Sequence, residues 1–194
     1  HQKLFQLAQS YKKKYNLKIG VVNFDPMPKM FFNKKLKNFR LSNVDQKIKL
    51  LSKFKVDFVI TKKFDKKFSK TKALNFIIEI INKKLNSKFI FVSNNFRFGN
   101  NREGNVDLLI ENEKTYNYKV VKPKPLTKDK KIVSSSLIRN LLENGFLEKA
   151  NKLLDRNWTI EGIVQKGRQV GKKIGFPTCN IDIHNYVLAK PGVY

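Results

Sequence analysis

The feature that most constrains the fold of this chain is the alternation of strand-type and helix-type segments along its first 121 residues. Apolar residues recur at helical spacing over residues 2–15, 42–54, 71–84 and 106–112. Short apolar runs typical of buried strands lie between and after them, at residues 18–24, 56–60, 88–92 and 116–121. Ser42 and Thr71 are the candidate N-caps of the middle two helices. This order predicts an α/β fold with a doubly wound parallel sheet and helices on both faces.

The pattern changes near Asp155. A polar, extended connection over residues 122–131 leads into a helix that starts at Ser134 and a second helix over residues 147–154. After Trp158, apolar residues alternate at period two and glycines mark the turns. We therefore predict a domain boundary near residue 155, and the remaining stretch of about 40 residues is too short for an independent barrel.

The charge of the chain is strongly positive, with 41 basic against 15 acidic residues and a formal net charge of +26. Lysine is spread through every segment, so the excess indicates a bias in composition rather than a nucleic-acid-binding patch. We expect salt-sensitive, non-specific binding to polyanions and no specific nucleic-acid partner.

We expect a cytoplasmic protein, and its cysteine content is compatible with that location. The single Cys179 rules out an internal disulfide and is compatible with a reducing compartment. No apolar run approaches the roughly 18 residues that a membrane span needs. Because the chain starts at His1 rather than Met, we expect it to be a piece of a longer protein.

Three hydroxyl residues, Ser134 to Ser136, open the helix-type run that follows residue 131. The free amides and dipole of a first helical turn favour an anion, and Arg139, one turn further, adds a planar guanidinium. The segment is a candidate phosphate site. An ordinary serine cap explains the same residues, so both interpretations stay open.

The run Phe96-Arg97-Phe98-Gly99 follows the predicted strand at residues 88–92. A guanidinium between two aromatic rings suits a planar heterocycle that carries a phosphate. The alternative is a loop whose phenylalanines pack on the core. If the loop is functional, we expect it to face a common cleft with the Ser134 segment at the carboxyl edge of the sheet.

Glycines at positions 167, 171 and 175 recur every fourth residue, which allows close approach of the backbone to a bound group. Thr178 and Asn180 are two residues apart, so in an extended segment both side chains point toward one Mg²⁺-phosphate. A glycine-rich β turn without a ligand is the alternative.

Six short motifs, in this order, resemble those of the bacterial bifunctional riboflavin kinase and FMN adenylyltransferase, the prokaryotic FAD synthetase. They are His1-Gln2 for the end of HxGH, Phe24-Asp25-Pro26-Met27-Pro28 for FxPxP, Asn95-Phe96-Arg97-Phe98-Gly99 with Arg102-Glu103-Gly104 for DFRFG and REG, Ser134-Ser135-Ser136-Leu137-Ile138-Arg139 for SSTxIR, Gly175-Phe176-Pro177-Thr178-Cys179-Asn180 for GFPTAN, and Gly192-Val193-Tyr194 for GVY. The resemblance covers nearly the whole chain. It implies a nucleotidyltransferase domain at residues 1–155 that lacks its first strand, and the start of a Greek-key β-barrel riboflavin kinase domain at residues 156–194.

The resemblance also implies a reaction sequence and roles for individual residues. Riboflavin would be phosphorylated by ATP to FMN, and FMN would then take an adenylyl group from Mg-ATP, giving FAD and pyrophosphate. Catalytic roles would fall to His1, Ser135 and Arg139. Ser134, Ser136, Gly175, Thr178 and Asn180 would bind ATP and its phosphates, with Mg²⁺ at Thr178 and Asn180. The flavin and nucleotide pocket would be shaped by Asp25, Asn95, Phe96, Arg97 and Phe98.

Several positions depart from the family pattern: Ser93 for Gly, Met27 for His, Ser136 for Thr, Lys172 for Arg and Cys179 for Ala. The family's first strand, its first HxGH histidine and its kinase base would lie outside these residues, so we expect the chain by itself to lack both activities. Two rival functions stay open: another nucleotidyltransferase of the same superfold, and a basic nucleic-acid-binding protein. The sequence does not predict the oligomeric state.

Overall fold

The computed structural model describes residues 2–128, 131–167, 173–177, 179–183 and 185–192. The chain divides into two compact units. The first unit comprises residues 1–31 and 52–132, and the second comprises residues 32–51 and 133–194. The helices are α1 Gln2–Tyr15, α2 Pro28–Phe32, α3 Val44–Ser52, α4 Lys66–Ser69, α5 Ala73–Asn75, α6 Val106–Glu111, α7 Glu113–Tyr116, α8 Ser135–Glu143 and α9 Leu147–Leu154. The strands are β1 Gly20–Asp25, β2 Phe58–Lys63, β3 Phe89–Phe91, β4 Lys119–Val121, β5 Thr127–Lys128, β6 Lys131–Ile132, β7 Val164–Gln165 and β8 Asn180–Ile181.

The longer strands of the first unit are parallel, which confirms the predicted α/β class. β1 pairs with β2, with Gly20 opposite Phe58. β3 pairs with β4, with Phe89 opposite Lys119. In the described residues these four strands form two separate two-stranded sheets. A cavity of about 350 Å³ is lined by α1 and by residues of both β1 and β3.

The core of the first unit lies between the helices and the β3–β4 pair. Ile77 and Leu109 are fully buried within it. The Tyr118 hydroxyl donates a hydrogen bond of 2.7 Å to the Leu109 carbonyl, so this buried polar group is satisfied. The buried members of this core are Ala73, Ile77, Ile81, Val92, Phe98, Val106, Leu109 and Tyr118.

The helix predicted to begin at Thr71 differs from the expectation in its cap and in its geometry. Its first turn is α5, and residues Phe76–Lys84 continue it as a π-helix. The cap is Glu103, whose Oε1 accepts a hydrogen bond of 2.6 Å from the Ala73 amide. The predicted cap at Thr71 is therefore wrong, because local capping patterns cannot identify a residue 30 positions away.

The second unit packs α8 and α9 on a small apolar core. Ile138, Leu142, Ala150 and Val187 are its buried members. The observed bounds of α9, Leu147–Leu154, match the predicted helix. β7 and β8 form a short antiparallel pair, and the apolar side chains of Ile163 and Val164 remain largely exposed, at 83% and 62%.

The cap of α3 is also corrected by the structure. Asn43, not Ser42, caps the helix: its Oδ1 accepts from the Gln46 amide at 2.7 Å. The Asn43 amide in return donates to Gln46 Oε1 at 3.0 Å, which is the reciprocal arrangement of a capping box. In the extended connection, the structure places a short antiparallel pair of β5 and β6 that was not predicted.

Candidate functional site

The predicted helix at Ser134 is confirmed, and Ser134 is its cap. Its backbone is extended, and its Oγ accepts a hydrogen bond of 3.2 Å from the Leu137 amide. Ser135 and Ser136 form the first turn of α8 and are exposed. The capping interpretation is therefore right for Ser134, while the hydroxyls of the next two serines face solvent at a helix N-terminus.

Arg139 is held in one orientation by the segment before α3. Its Nε donates a hydrogen bond of 2.7 Å to the Phe39 carbonyl. Its guanidinium carbon lies 3.6 Å from the centroid of the Phe39 ring. In the described part of the chain, its two terminal nitrogens form no hydrogen bond, although the Glu143 carboxylate is close enough to attract the charge. The planar guanidinium is thus oriented in advance, with the four N–H donors of its terminal nitrogens left for an oxyanion.

Partial burial lowers the pKa of the Arg139 guanidinium from its ordinary 12.5. An arginine stays charged at neutral pH despite such a shift. The charge in a partly desolvated place strengthens its attraction for an anion. Phe39 was not predicted as part of the site, because nothing in its local sequence indicates a contact 100 residues along the chain.

The loop after β3 divides its residues between the core and the solvent. Phe98 is buried, with 7% of its surface exposed. Phe96 stacks on it with 5.5 Å between ring centroids. Arg97, between them, is exposed. The phenylalanines therefore pack on the core of the first unit, as the alternative interpretation holds, and their part in a flavin pocket stays a prediction.

Arg97 and Asn95 line an open cavity of about 340 Å³ within the first unit. The same cavity is lined by Arg102, Asn105 and Lys122. Sequence reasoning did not assign these last three. Arg102 belongs to the REG motif, whereas Lys122 lies in the stretch that the sequence predicts to be a polar connection.

The remaining predicted residues are distributed over both units. Asp25 ends β1 and is half-buried. Gly175 has a φ of +84°, which favours glycine, and open space around its Cα. Asn180 lies in β8 opposite Gln165, and the absence of a side chain at Gly167 leaves room for its amide group. His1 and Thr178 lie outside the described residues.

The possible metal ligands are therefore tested only in part. Asn180 is exposed and can offer an amide oxygen, which is a ligand type that Mg²⁺ accepts. No group of three or more His, Cys, Asp and Glu side chains that could hold a metal occurs among the described residues. Because the Ser134 segment belongs to the second unit and the Arg97 loop to the first, their common cleft stays a prediction.

Within the stretches that the structure describes, no helix combines the length and the hydropathy needed to cross a bilayer.

Comparison with known proteins extends over the whole chain. A bifunctional riboflavin kinase/FMN adenylyltransferase of Buchnera aphidicola subsp. Schizaphis graminum is 39% identical over 195 aligned residues, which cover 100% of this chain and 62% of that relative. The protein of the same name from Escherichia coli K12 is 33% identical, with the same two coverages. The chain thus spans about three fifths of the length of these relatives.

A solved structure is also similar to this chain. It is titled "Crystal Structure of Macrolide-efflux Protein from Streptococcus pneumoniae", with a TM-score of 0.79 and 27% identity. The match covers 100% of this chain and 63% of the other.

Two family profiles match in succession along the chain. The riboflavin kinase profile matches residues 154–194, and the FAD synthetase profile matches residues 1–137. The FAD synthetase profile spans well over half of the sequence. The chain belongs to the FAD synthetase family.

Proposed function

We propose that the protein, in its full length, makes FAD from riboflavin in two ATP-dependent steps. The observation that carries the proposal is the succession of an FAD synthetase match and a riboflavin kinase match on one chain. The relatives that carry both activities in their names match from end to end of this chain. The substrates are then riboflavin, FMN and ATP, and the location is the cytoplasm.

In the adenylyl step, a phosphate oxygen of FMN attacks the α-phosphorus of ATP. A new oxygen–phosphorus bond forms, the bond between the α-phosphorus and the oxygen that bridges it to the β-phosphorus breaks, and pyrophosphate leaves. The protein contributes orientation and charge stabilisation, without a covalent intermediate. The pre-oriented guanidinium of Arg139 and the exposed hydroxyls of Ser135 and Ser136 at the start of α8 support a role in holding the phosphate chain.

Mg²⁺ would accompany ATP and neutralise part of the charge on its phosphates. Asn180 of β8 would offer its amide oxygen, together with the hydroxyl of Thr178. In the kinase step, the γ-phosphoryl group of ATP passes to a riboflavin hydroxyl and ADP leaves. Gly167 supports this arrangement because it leaves space for the Asn180 amide.

The proposal includes the finer architecture of both domains, divided near residue 155. The first would be a doubly wound parallel sheet and the second a Greek-key barrel. In the described residues β1 and β3 each have one unpaired edge, and residues of both line the cavity of about 350 Å³. A further parallel strand between them would join the two pairs into one sheet.

The proposal is tested by a pair of substitutions, Ser135→Ala with Arg139→Ala, in the full-length protein. FAD formation should collapse while FMN formation from riboflavin persists, because the substituted residues serve the first domain's reaction. Arg139→Lys keeps the charge but loses the fork, so it should restore part of the FAD yield. Equal loss of both products would assign the segment a structural role, and full retention of FAD formation would refute the site.

A further inference from the structure

We propose that Arg97, Arg102 and Lys122 form a phosphate-binding cleft at the carboxyl ends of β3 and β4. These three residues line the cavity of about 340 Å³, which we call the basic cleft. Arg97 follows β3 by six residues, and Lys122 comes directly after Val121, the last residue of β4. The cleft therefore opens at the edge of the parallel pair where ligands bind in α/β sheets.

The charge of the cleft is unbalanced. Three cations line it, against one carboxylate, that of Asp107. In the described residues, Arg97, Arg102 and Lys122 form no ion pair or side-chain hydrogen bond, whereas Lys12, Lys49, Lys83 and Lys119 are each paired with a carboxylate. Because cations are abundant throughout this protein, their presence alone decides little. Their convergence without partners is what distinguishes the cleft.

The two asparagine amides of the cleft present donors rather than acceptors. Asn95 Oδ1 already accepts a hydrogen bond of 2.8 Å from Ser93 Oγ. Asn105 Oδ1 caps α6 and accepts from the Leu108 amide at 2.9 Å. With both oxygens engaged, the amino groups remain to donate, as do the arginines and the lysine. A ligand that suits five donor groups is an anion with several oxygens.

The backbone that carries Arg102 adopts a conformation that arginine disfavours. Asn101 has a φ of +50° and Arg102 a φ of +61°, a region in which residues other than glycine are uncommon. The turn is fixed on both sides, by the pair of bonds between Phe98 and Gly104 and by the bond from the Ala73 amide to Glu103. Arg102 is exposed, so packing of its side chain does not explain the conformation. Backbone strain of this kind is found more often at ligand-binding sites than elsewhere, which agrees with the proposed cleft.

The ligand chemistry that fits is a phosphate monoester or a pyrophosphate group. Arginine forks bind such groups through two parallel hydrogen bonds, and lysine adds a compact charge. Anion binding by the cleft does not require the proposed reaction. Its identification as a phosphate subsite for FMN or ATP does rest on the proposed function.

The inference is tested by NMR titration of the ¹⁵N-labelled full-length protein with inorganic phosphate, pyrophosphate, FMN and riboflavin. We expect saturable shifts at the amides of residues 95–105 and 122 with the first three ligands and not with riboflavin. Stronger binding of FMN than of pyrophosphate assigns the cleft to the flavin phosphate, and the reverse order assigns it to the nucleotide phosphates. Because no turnover is measured, failure of the FAD reaction would leave this result standing.

Matched variants separate the cleft from the general charge of the protein. Arg102→Gln and Lys122→Gln should each weaken pyrophosphate binding about three- to tenfold, as expected for loss of one charged contact. Lys124→Gln removes the same charge two residues from Lys122, outside the cleft. It should change the affinity for pyrophosphate by less than about twofold. Asp107→Asn removes the opposing charge and should strengthen binding.

Two results would overturn the inference. One is an equal effect of Lys122→Gln and Lys124→Gln, and the other is binding of a single-stranded oligonucleotide through these residues when no small phosphate binds. Arg102→Gly supplies an independent check, because it relieves the left-handed backbone. Its thermal midpoint should stay close to that of the parent, because the relief of the left-handed backbone offsets the entropy that glycine loses on folding, while pyrophosphate binding weakens. An unchanged midpoint with unchanged binding would contradict the proposed role of the side chain.

Discussion

Replacement of Gly99 by alanine should destabilise the first unit and disorder the loop that carries Arg97 and Arg102. Gly99 has φ +78° and ψ 177°, a region that is almost closed to other residues and costs roughly 1–3 kcal/mol. An added Cβ would also lie 2.7 Å from the backbone N and Cα of Ala73. Such overpacking costs a further 1–3 kcal/mol or so. We therefore expect a loss of about 3 kcal/mol in the free energy of unfolding, a large fraction of a typical total.

Amide hydrogen exchange is the appropriate assay, because it reports on the first unit residue by residue. The slowest amides around Ile77 and Leu109 should exchange roughly a hundredfold faster in Gly99→Ala. Gly175→Ala is the matched control: its φ is +84°, but no atom lies within 4 Å of the added Cβ. It should cost only about 1 kcal/mol, locally. Exchange rates in Gly99→Ala that stay within about twofold of the parent's would refute this reasoning.

Two further predictions concern the polar groups of the same unit. Burial raises the pKa of Tyr118 to about 12 from 10.0, so its contribution to stability is complete below pH 10 and is lost as the pH rises toward 12. Its phenol should titrate last in an absorbance titration, and Tyr118→Phe should cost about 1–2 kcal/mol by leaving the Leu109 carbonyl without its donor. Hydrogen bonds from the Val120 amide and from Lys119 lower the pKa of Glu113 below 4.5. The stability that this carboxylate contributes is complete above pH 4.5 and falls as the pH drops through the lowered pKa. Glu113→Gln should therefore make the midpoint of urea unfolding less dependent on pH in the acid range. An unchanged pH dependence would contradict this prediction.

The sequence predicted the elements whose signals are local. The apolar spacing in residues 2–15 and the alternation that follows were sufficient for α1, for the four parallel strands and for the α/β class. The bounds of α9 followed from the glycine before it. Ser134 was identified as a cap because its hydroxyl bonds an amide three residues away, within reach of a local pattern.

What the sequence could not predict depends on contacts between distant positions. The cap of the π-helix comes from Glu103, and the orientation of Arg139 comes from Phe39. The π-helical geometry of Phe76–Lys84 has no sequence signature of its own. Likewise Lys122 joins Arg97 only because β3 and β4 end at the same edge of their sheet. The residues of such a cleft can be identified only when the pairing of the strands is known.

We propose that the full-length protein makes FMN and then transfers an adenylyl group from ATP to it. The most direct measurement supplies the full-length protein with riboflavin, Mg²⁺ and ATP labelled with ³²P at either the α- or the γ-phosphorus. We predict that γ-label enters FMN and that α-label enters FAD, with unlabelled pyrophosphate released in the α-label experiment. Folded protein that leaves both labels outside the flavin pool would refute the proposed function.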